Sequence, residues 1–202
     1  MQAKVDNLAR LKDAGLESAI RDVAAGVQTH ADLMAVVAAA QSLLTSVSVQ
    51  TRVLGARLVV HVVQKAAQGV VKLTPTANVL LNFFSGSLHD HPAIDWYLMG
   101  ILHILPHASK DEQLKVPDAI FAEMNSQPGL QPARLKVVQI MNHLLTHLPE
   151  ECKGIGSKLI KDLVQFVDGE KDPRVLVEVF KVAQLFGSWE LNNLAEAFSI
   201  LT

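Results

Sequence analysis

The chain of 202 residues has one cysteine, Cys152, so it can form no intrachain disulfide and no all-cysteine metal site. A lone cysteine also cannot hold an iron–sulfur cluster by itself. This scarcity fits a cytosolic or nuclear compartment. Aromatic residues make up only 5% of the chain, while half of it is apolar. The core must therefore be built mainly from Ala, Val and Leu, a mix that suits closely packed helices. Apolar runs such as Ala35–Ala40 fall far short of the roughly 20 residues that span a bilayer. Lys4, Asp6, Arg10, Lys12 and Asp13 interrupt the N-terminus, so no signal-peptide core follows Met1. There is no glycine-rich phosphate loop, nucleophile elbow or zinc-protease helix motif, and no catalytic residue is assigned. Sustained period-two alternation is missing as well, so no strand is expected.

Charge of one sign is missing locally. No acidic residue lies between Asp32 and Asp90, where Arg52, Arg57, Lys65 and Lys72 are found. After Lys161 the sign reverses, with Asp162, Asp168, Glu170, Asp172, Glu178, Glu190 and Glu196 against Lys171, Arg174 and Lys181. Ordinary solvated faces explain this, or else a weak dipole that orients a partner. The net charge of −2 gives no global pull toward nucleic acid or anionic lipid. Basic residues are sparse and not interleaved with aromatics, so no direct nucleic-acid contact is expected.

What is present is a repeat. His91-Pro92-Ala93-Ile94, Gln131-Pro132-Ala133-Arg134 and Asp172-Pro173-Arg174-Val175 align with prolines 40 and 41 residues apart. Gln50-Thr51-Arg52-Val53 opens the preceding unit without the proline. Proline suits a first helical turn, where its missing N–H would have had no partner. Asp172 ahead of Pro173 is a natural N-cap.

Each unit reads as two helices. The first covers 51–68, ends near Gly69 and resumes after Thr74-Pro75 to Leu88. The second covers 92–107 and restarts at Ser109, where Glu112 completes a capping-box pattern and the helix continues to Met124. The third covers 132–148 and 150–167, turning at Pro149. The fourth covers 173–186 and 190–201, turning at Gly187-Ser188. Ile155, Leu159, Leu163 and Phe166 form one apolar stripe, widened by Ile160, Val164 and Val167. Val175, Val179, Val182 and Phe186 repeat it in the fourth unit. Before residue 50, helices over 5–25 and 30–46 form a capping pair, with Thr29 as a cap and Gly15 as a weak point.

The expected fold is thus all-α: one HEAT/ARM-like α-solenoid over 1–202 with about five helix pairs. Its parts are a capping pair 1–48 and repeats 49–90, 91–130, 131–170 and 171–202. Phe198, Ile200 and Leu201 close to Thr202 suggest that the stack continues in a longer parent protein.

Several residues carry two readings. His103/His107 and His143/His147 are i, i+4 pairs 40 residues apart, a spacing that can hold a metal. They also sit where helices end, and the helix dipole favours histidine there. His89 and His91 flank Asp90 in a surface turn. Cys152 lies near a helix start, which can lower a thiol pKa, while burial would silence it. Trp96, Tyr97 and Trp189 fill the core or anchor a partner. No metal or cofactor is assigned.

The densest charged segment is Asp168-Gly169-Glu170-Lys171-Asp172-Pro173-Arg174. It reads as a solvated turn capping the next helix, or as a protein-binding ridge of Asp168, Glu170, Lys171, Asp172 and Arg174. This run, followed by a Leu/Val-rich helix containing Phe180, resembles the N-terminal region of the MMS-nineteen family. Thr51-Arg52 with Gly55 and Leu58, and Asp90-His91 opening a helix with Gly100, add to the resemblance. It extends weakly over about residues 20–200. It implies a non-catalytic HEAT-repeat adaptor that brings iron–sulfur client proteins of DNA metabolism to the cytosolic targeting complex, in cytoplasm and nucleus. The family's scaffold-binding region lies far C-terminal of the stretch resembled, and the 168–174 run itself is expected to be structural. A trafficking or nuclear-transport adaptor and a metal-binding or enzymatic helical domain are the other readings.

Overall fold

The computed structural model describes residues 2–8, 11, 13–124 and 133–187. It is all-α, with no strand among these residues. The chain divides into two compact units, Met1–Ala108 and Ser109–Thr202. The division falls between the two helices of the repeat drawn over 91–130.

The first unit holds α1 (Gln2–Leu8), α2 (Asp13–Ala25), α3 (His30–Leu44), α4 (Val49–Lys65), α5 (Ala77–Gly86) and α6 (Ile94–Ile104). The leading helices of successive repeats pack in a row, α2 on α4 and α4 on α6. The tight hairpins are α3–α4 and α5–α6, which straddle the repeat boundaries drawn at residues 49 and 91. Short turns hold these helices side by side, whereas a π-helical turn over Ala66–Val70 and the stretch after it separate α4 from α5. Leu58, Val59, Val62 and Val63 of α4 are fully buried, with Leu80, Leu81 and Phe84 of α5 and Leu98, Ile101 and Ile104 of α6. Gly55 makes the α3–α4 approach possible: a Cβ there would lie 2.9 Å from Leu43 Cβ and 3.0 Å from the Leu44 backbone nitrogen. Gly100 gives the Phe84 ring its place in the same way.

Local signals work largely as read. The Thr29 hydroxyl accepts the Asp32 N–H at 3.1 Å, and Asp32 accepts the Thr29 N–H at 2.9 Å, a complete capping box. Ser48 caps α4 by accepting the Thr51 N–H. Gly69, at φ 96°, lies where α4 was expected to stop.

The second unit holds α7 (Lys110–Gln113), α8 (Val116–Met124), α9 (Arg134–His147), α10 (Pro149–Lys153), α11 (Gly156–Val167) and α12 (Pro173–Gly187). α9 packs on α12 and α8 on α11, each against its counterpart one repeat on. The apolar stripe of α11 is buried from Leu159 to Val167, although Ile155 is only half-buried. Val175, Val182 and Phe186 of α12 are buried, and Val179 is half-buried.

Three helices expected to be continuous are broken. The helix over 109–124 splits at Leu114-Lys115, because Pro117 would clash with the Gln113 carbonyl and has no N–H to give it. The helix over 150–167 splits at Gly154-Ile155, where two glycines flank one residue and helix propensity is low. The helix over 5–25 breaks around Leu11, not at Gly15, which lies inside α2. Ser109 has the extended backbone of an N-cap but makes no side-chain cap bond, so the expected capping box is not complete. Glu112 reaches Lys115 at 2.6 Å instead. The expected helix 190–201, Trp189 and the Gln131-Pro132 start lie outside the described residues.

Candidate protein-binding turn at Asp168–Arg174

The turn between α11 and α12 is built from its own charges. Gly169 takes a positive φ of 68°, a left-handed conformation that brings the chain around toward α12. The Glu170 N–H donates to the Val167 carbonyl at 3.0 Å, closing the turn. Glu170 Oε1 then accepts the N–H groups of Lys171 and Asp172, both at 2.7 Å. Its other oxygen accepts from Arg134 Nη1 at 3.1 Å. Arg134 lies in the first turn of α9, so this bond ties one repeat's start to the next repeat's entry. The Arg134 guanidinium also sits 5.6 Å above the Phe166 ring, which meets Phe121 edge-on at 5.9 Å.

Asp172 is the N-cap expected of it. Its Oδ1 accepts the Arg174 N–H at 2.9 Å, and its carboxylate also takes Arg174 Nη2 at 2.7 Å. Both acids are held below the usual carboxylate range. For Glu170 the backbone N–H of Asp172 is the main cause, and for Asp172 it is the Arg174 side chain.

The five candidate residues therefore do different work. The Glu170 side chain is 10% exposed and the Arg134 side chain 14%, so Glu170 is committed inward. Asp172 is half-buried and caps α12. Asp168, Lys171 and Arg174 face solvent. A ridge of five free charges is not what folds here; three outward charges stand on an internally bonded turn.

Sequence reasoning missed Arg134, and with it a similar tie in the first unit. Arg52 meets Asp90 with two bonds, Nε to Oδ2 at 2.9 Å and Nη2 to Oδ1 at 3.1 Å. Its remaining nitrogen donates to the carbonyls of Ser46 and Val47. The signal was available, because both arginines follow the repeat start and both acids close the repeat, 38 and 36 residues on. Further ties have the same spacing: Lys110 to Glu151 at 2.5 Å, Lys158 to Asp118 at 2.6 Å and Asn142 to Glu178 at 3.2 Å.

The other candidates divide by burial. Cys152 is fully buried, and burial pushes its thiol up to about 11, so it is no nucleophile at neutral pH. Tyr97 is core, packed with Phe83 and Phe84, and burial raises its phenol to about 12. Trp96 is not core: it is half-buried, with the Arg57 guanidinium and the His61 ring each 5.5 Å from it. His143 and His147 stack at 4.1 Å, and His147 Nδ1 lies 2.8 Å from the His143 carbonyl. Burial lowers both His103 and His143 below the usual histidine range. His89 Nδ1 sits against the Gly86 carbonyl at the end of α5. Among the described residues no group of three or more His, Cys, Asp or Glu side chains could hold a metal ion. None of the described helices is long and apolar enough to cross a membrane.

Residues 37–201 match the N-terminal MMS19 family model, described as Dos2-interacting transcription regulator of RNA-Pol-II. The chain belongs to this family. Relatives within the MMS19 family include the MMS19 nucleotide excision repair protein homolog of Danio rerio, 31% identical over 160 residues. That alignment covers 76% of this chain and 15% of the relative. The homolog of Mus musculus is 30% identical over 80% of this chain and 15% of its own length. The Xenopus tropicalis homolog is 27% identical over 83% of this chain and 17% of its own. The chain thus spans about a sixth of the length of the MMS19 relatives it matches.

Proposed function

We propose that this chain is a non-catalytic adaptor segment that binds proteins through the outer faces of its helices. Its clients are iron–sulfur proteins of DNA metabolism and repair, delivered to the cytosolic targeting complex, and it works in cytoplasm and nucleus. The observation that carries this reading is the family match over 37–201, laid over helices that pack against their counterparts one repeat on. Helical repeats of this kind leave long outer surfaces for recognition while the inner seam supplies stability.

Proximity labelling from the full-length protein in cells tests it. Enrichment of iron–sulfur apoproteins and targeting subunits is the expected result. Enrichment of coat proteins or transport receptors in their place would overturn it in favour of a trafficking adaptor.

A further inference from the structure

Trp96, the half-buried aromatic of the first unit, sits in an unusual setting. α4 carries Arg57, His61 and Lys65 at four-residue steps, so the three share one side of the helix. α4 has no acidic residue along its length. α6 packs alongside and brings Trp96 against Arg57 and His61, each 5.5 Å from the Trp96 ring. His103, two turns further along α6, is close enough to His61 for the two to repel each other's charge. The result is a cationic and aromatic shelf on the row of leading helices.

One carboxylate already uses the shelf. Glu17 of α2 forms an ion pair with Arg57, although the Glu17 side chain is 44% exposed. Arg57 Nε nevertheless remains buried with no hydrogen-bond partner. The Arg57 guanidinium therefore takes a carboxylate through its outer nitrogen, and the Glu17 side chain that supplies it stays solvent-exposed.

We propose that this shelf docks an acidic segment of a partner protein, with a partner carboxylate on Arg57 and an adjoining apolar side chain on Trp96. Charge complementarity selects the occupant: Arg57 and Lys65 favour acid, and the aromatic face favours a mixed acidic-apolar segment over a purely charged one. Glu17 acts as an internal competitor that lowers affinity until displaced. The inference rests on the adaptor reading and assigns its binding to a particular surface.

The test uses the full 202-residue chain and a fluorescein-labelled peptide of three Asp-Glu-Leu-Gly repeats. A Lys-Lys-Leu-Gly counterpart and a single-stranded oligonucleotide are the controls. Fluorescence anisotropy should show binding of the acidic peptide alone, weakening as salt rises. Trp96→Ala and Arg57→Gln should each cost at least about tenfold in affinity. Glu17→Gln should tighten binding, a gain that misfolding cannot produce. Equal binding of both peptides, preference for the oligonucleotide, or wild-type affinity in Arg57→Gln would overturn the proposal. So would failure of the acidic peptide to bind. If Trp96→Ala leaves the cellular partner set intact, the shelf falls while the adaptor reading stands.

Discussion

Residues 1–108 and 109–187 are both all-helical but hold their helices together differently. In the first unit the seam is apolar and aromatic: Phe83, Phe84 and Tyr97 cluster where α5 meets α6. Its ties across a repeat include Arg52 to Asp90 and Arg57 to Glu17. In the second unit, Lys110–Glu151, Asp118–Lys158, Arg134–Glu170 and Asn142–Glu178 all span 36 to 41 residues. Charge follows the same division. Eight lysines and arginines face seven acids in 1–108, a net of +1, whereas ten face thirteen in 109–202, a net of −3. The lesson is that one repeat geometry can be registered by side-chain volume or by polar pairing. The first is insensitive to pH and salt, and the second is not.

The largest expected effect comes from removing volume where volume does the work. Phe84→Ala empties a fully buried site against Gly100 and should cost about 3–5 kcal/mol. Chemical denaturation would give the loss. Hydrogen exchange should show it concentrated in 1–108; equal loss of protection in 109–187 would break the comparison. Next in size is Arg134→Ala, which leaves Glu170 largely buried without its cation and uncovers Phe166. It should cost about 2 kcal/mol, less than a fully buried pair because both side chains keep some exposure. Protection should fall in α9 and α12 and stay unchanged in α4.

Acid should separate the units further. Glu151, Glu170 and Asp172 in the second unit are held below the usual carboxylate range, with Lys110, the Asp172 N–H and Arg174 as the leading causes. In the first unit Asp32 is shifted this way, chiefly by Thr29. A depressed folded pKa gives stability that is present above the unfolded value near 4 and lost as pH falls through the folded one. As pH falls below about 4 the second unit should therefore loosen first, seen as earlier loss of exchange protection at α11–α12 than at α4. His103 and His143 follow the same sign one step higher. Each is buried in favour of its neutral form, so each withdraws stability as pH falls below about 6.5, and in both units alike. The smallest effect is expected of Lys158→Ala. Both partners of the Lys158–Asp118 pair are exposed, so the denaturation midpoint should hardly move. A larger shift would mean that polar registration reaches the surface as well.

Much of this was legible in the chain. Thr29 and Asp172 as caps, the stop near Gly69 and the stripes of α11 and α12 all rest on nearest neighbours along the helix. The broken helices were legible too, since Pro117 and the pair Gly154 and Gly156 stand in plain view; they were outweighed by the apolar periodicity around them. At the Asp168–Arg174 turn the sequence marked the right seven residues and could not rank them. Glu170 and Lys171 are adjacent and charged, yet one is bonded inward and the other faces water. The neighbouring N–H groups of Lys171 and Asp172 hold one oxygen of Glu170, and Arg134, 36 residues earlier, holds the other.

The sequence by itself determined that the chain is helical, where most helices begin and how often the pattern repeats. Those properties depend on backbone preferences and on which residues fall on one helix face, and both are local. Tertiary structure alone decided which charges meet across a repeat, why Trp96 lies at the surface while Tyr97 beside it is buried, and which cations stay incompletely satisfied. These outcomes depend on the distance between side chains far apart in sequence, set by how closely helices approach at places such as Gly55 and Gly100.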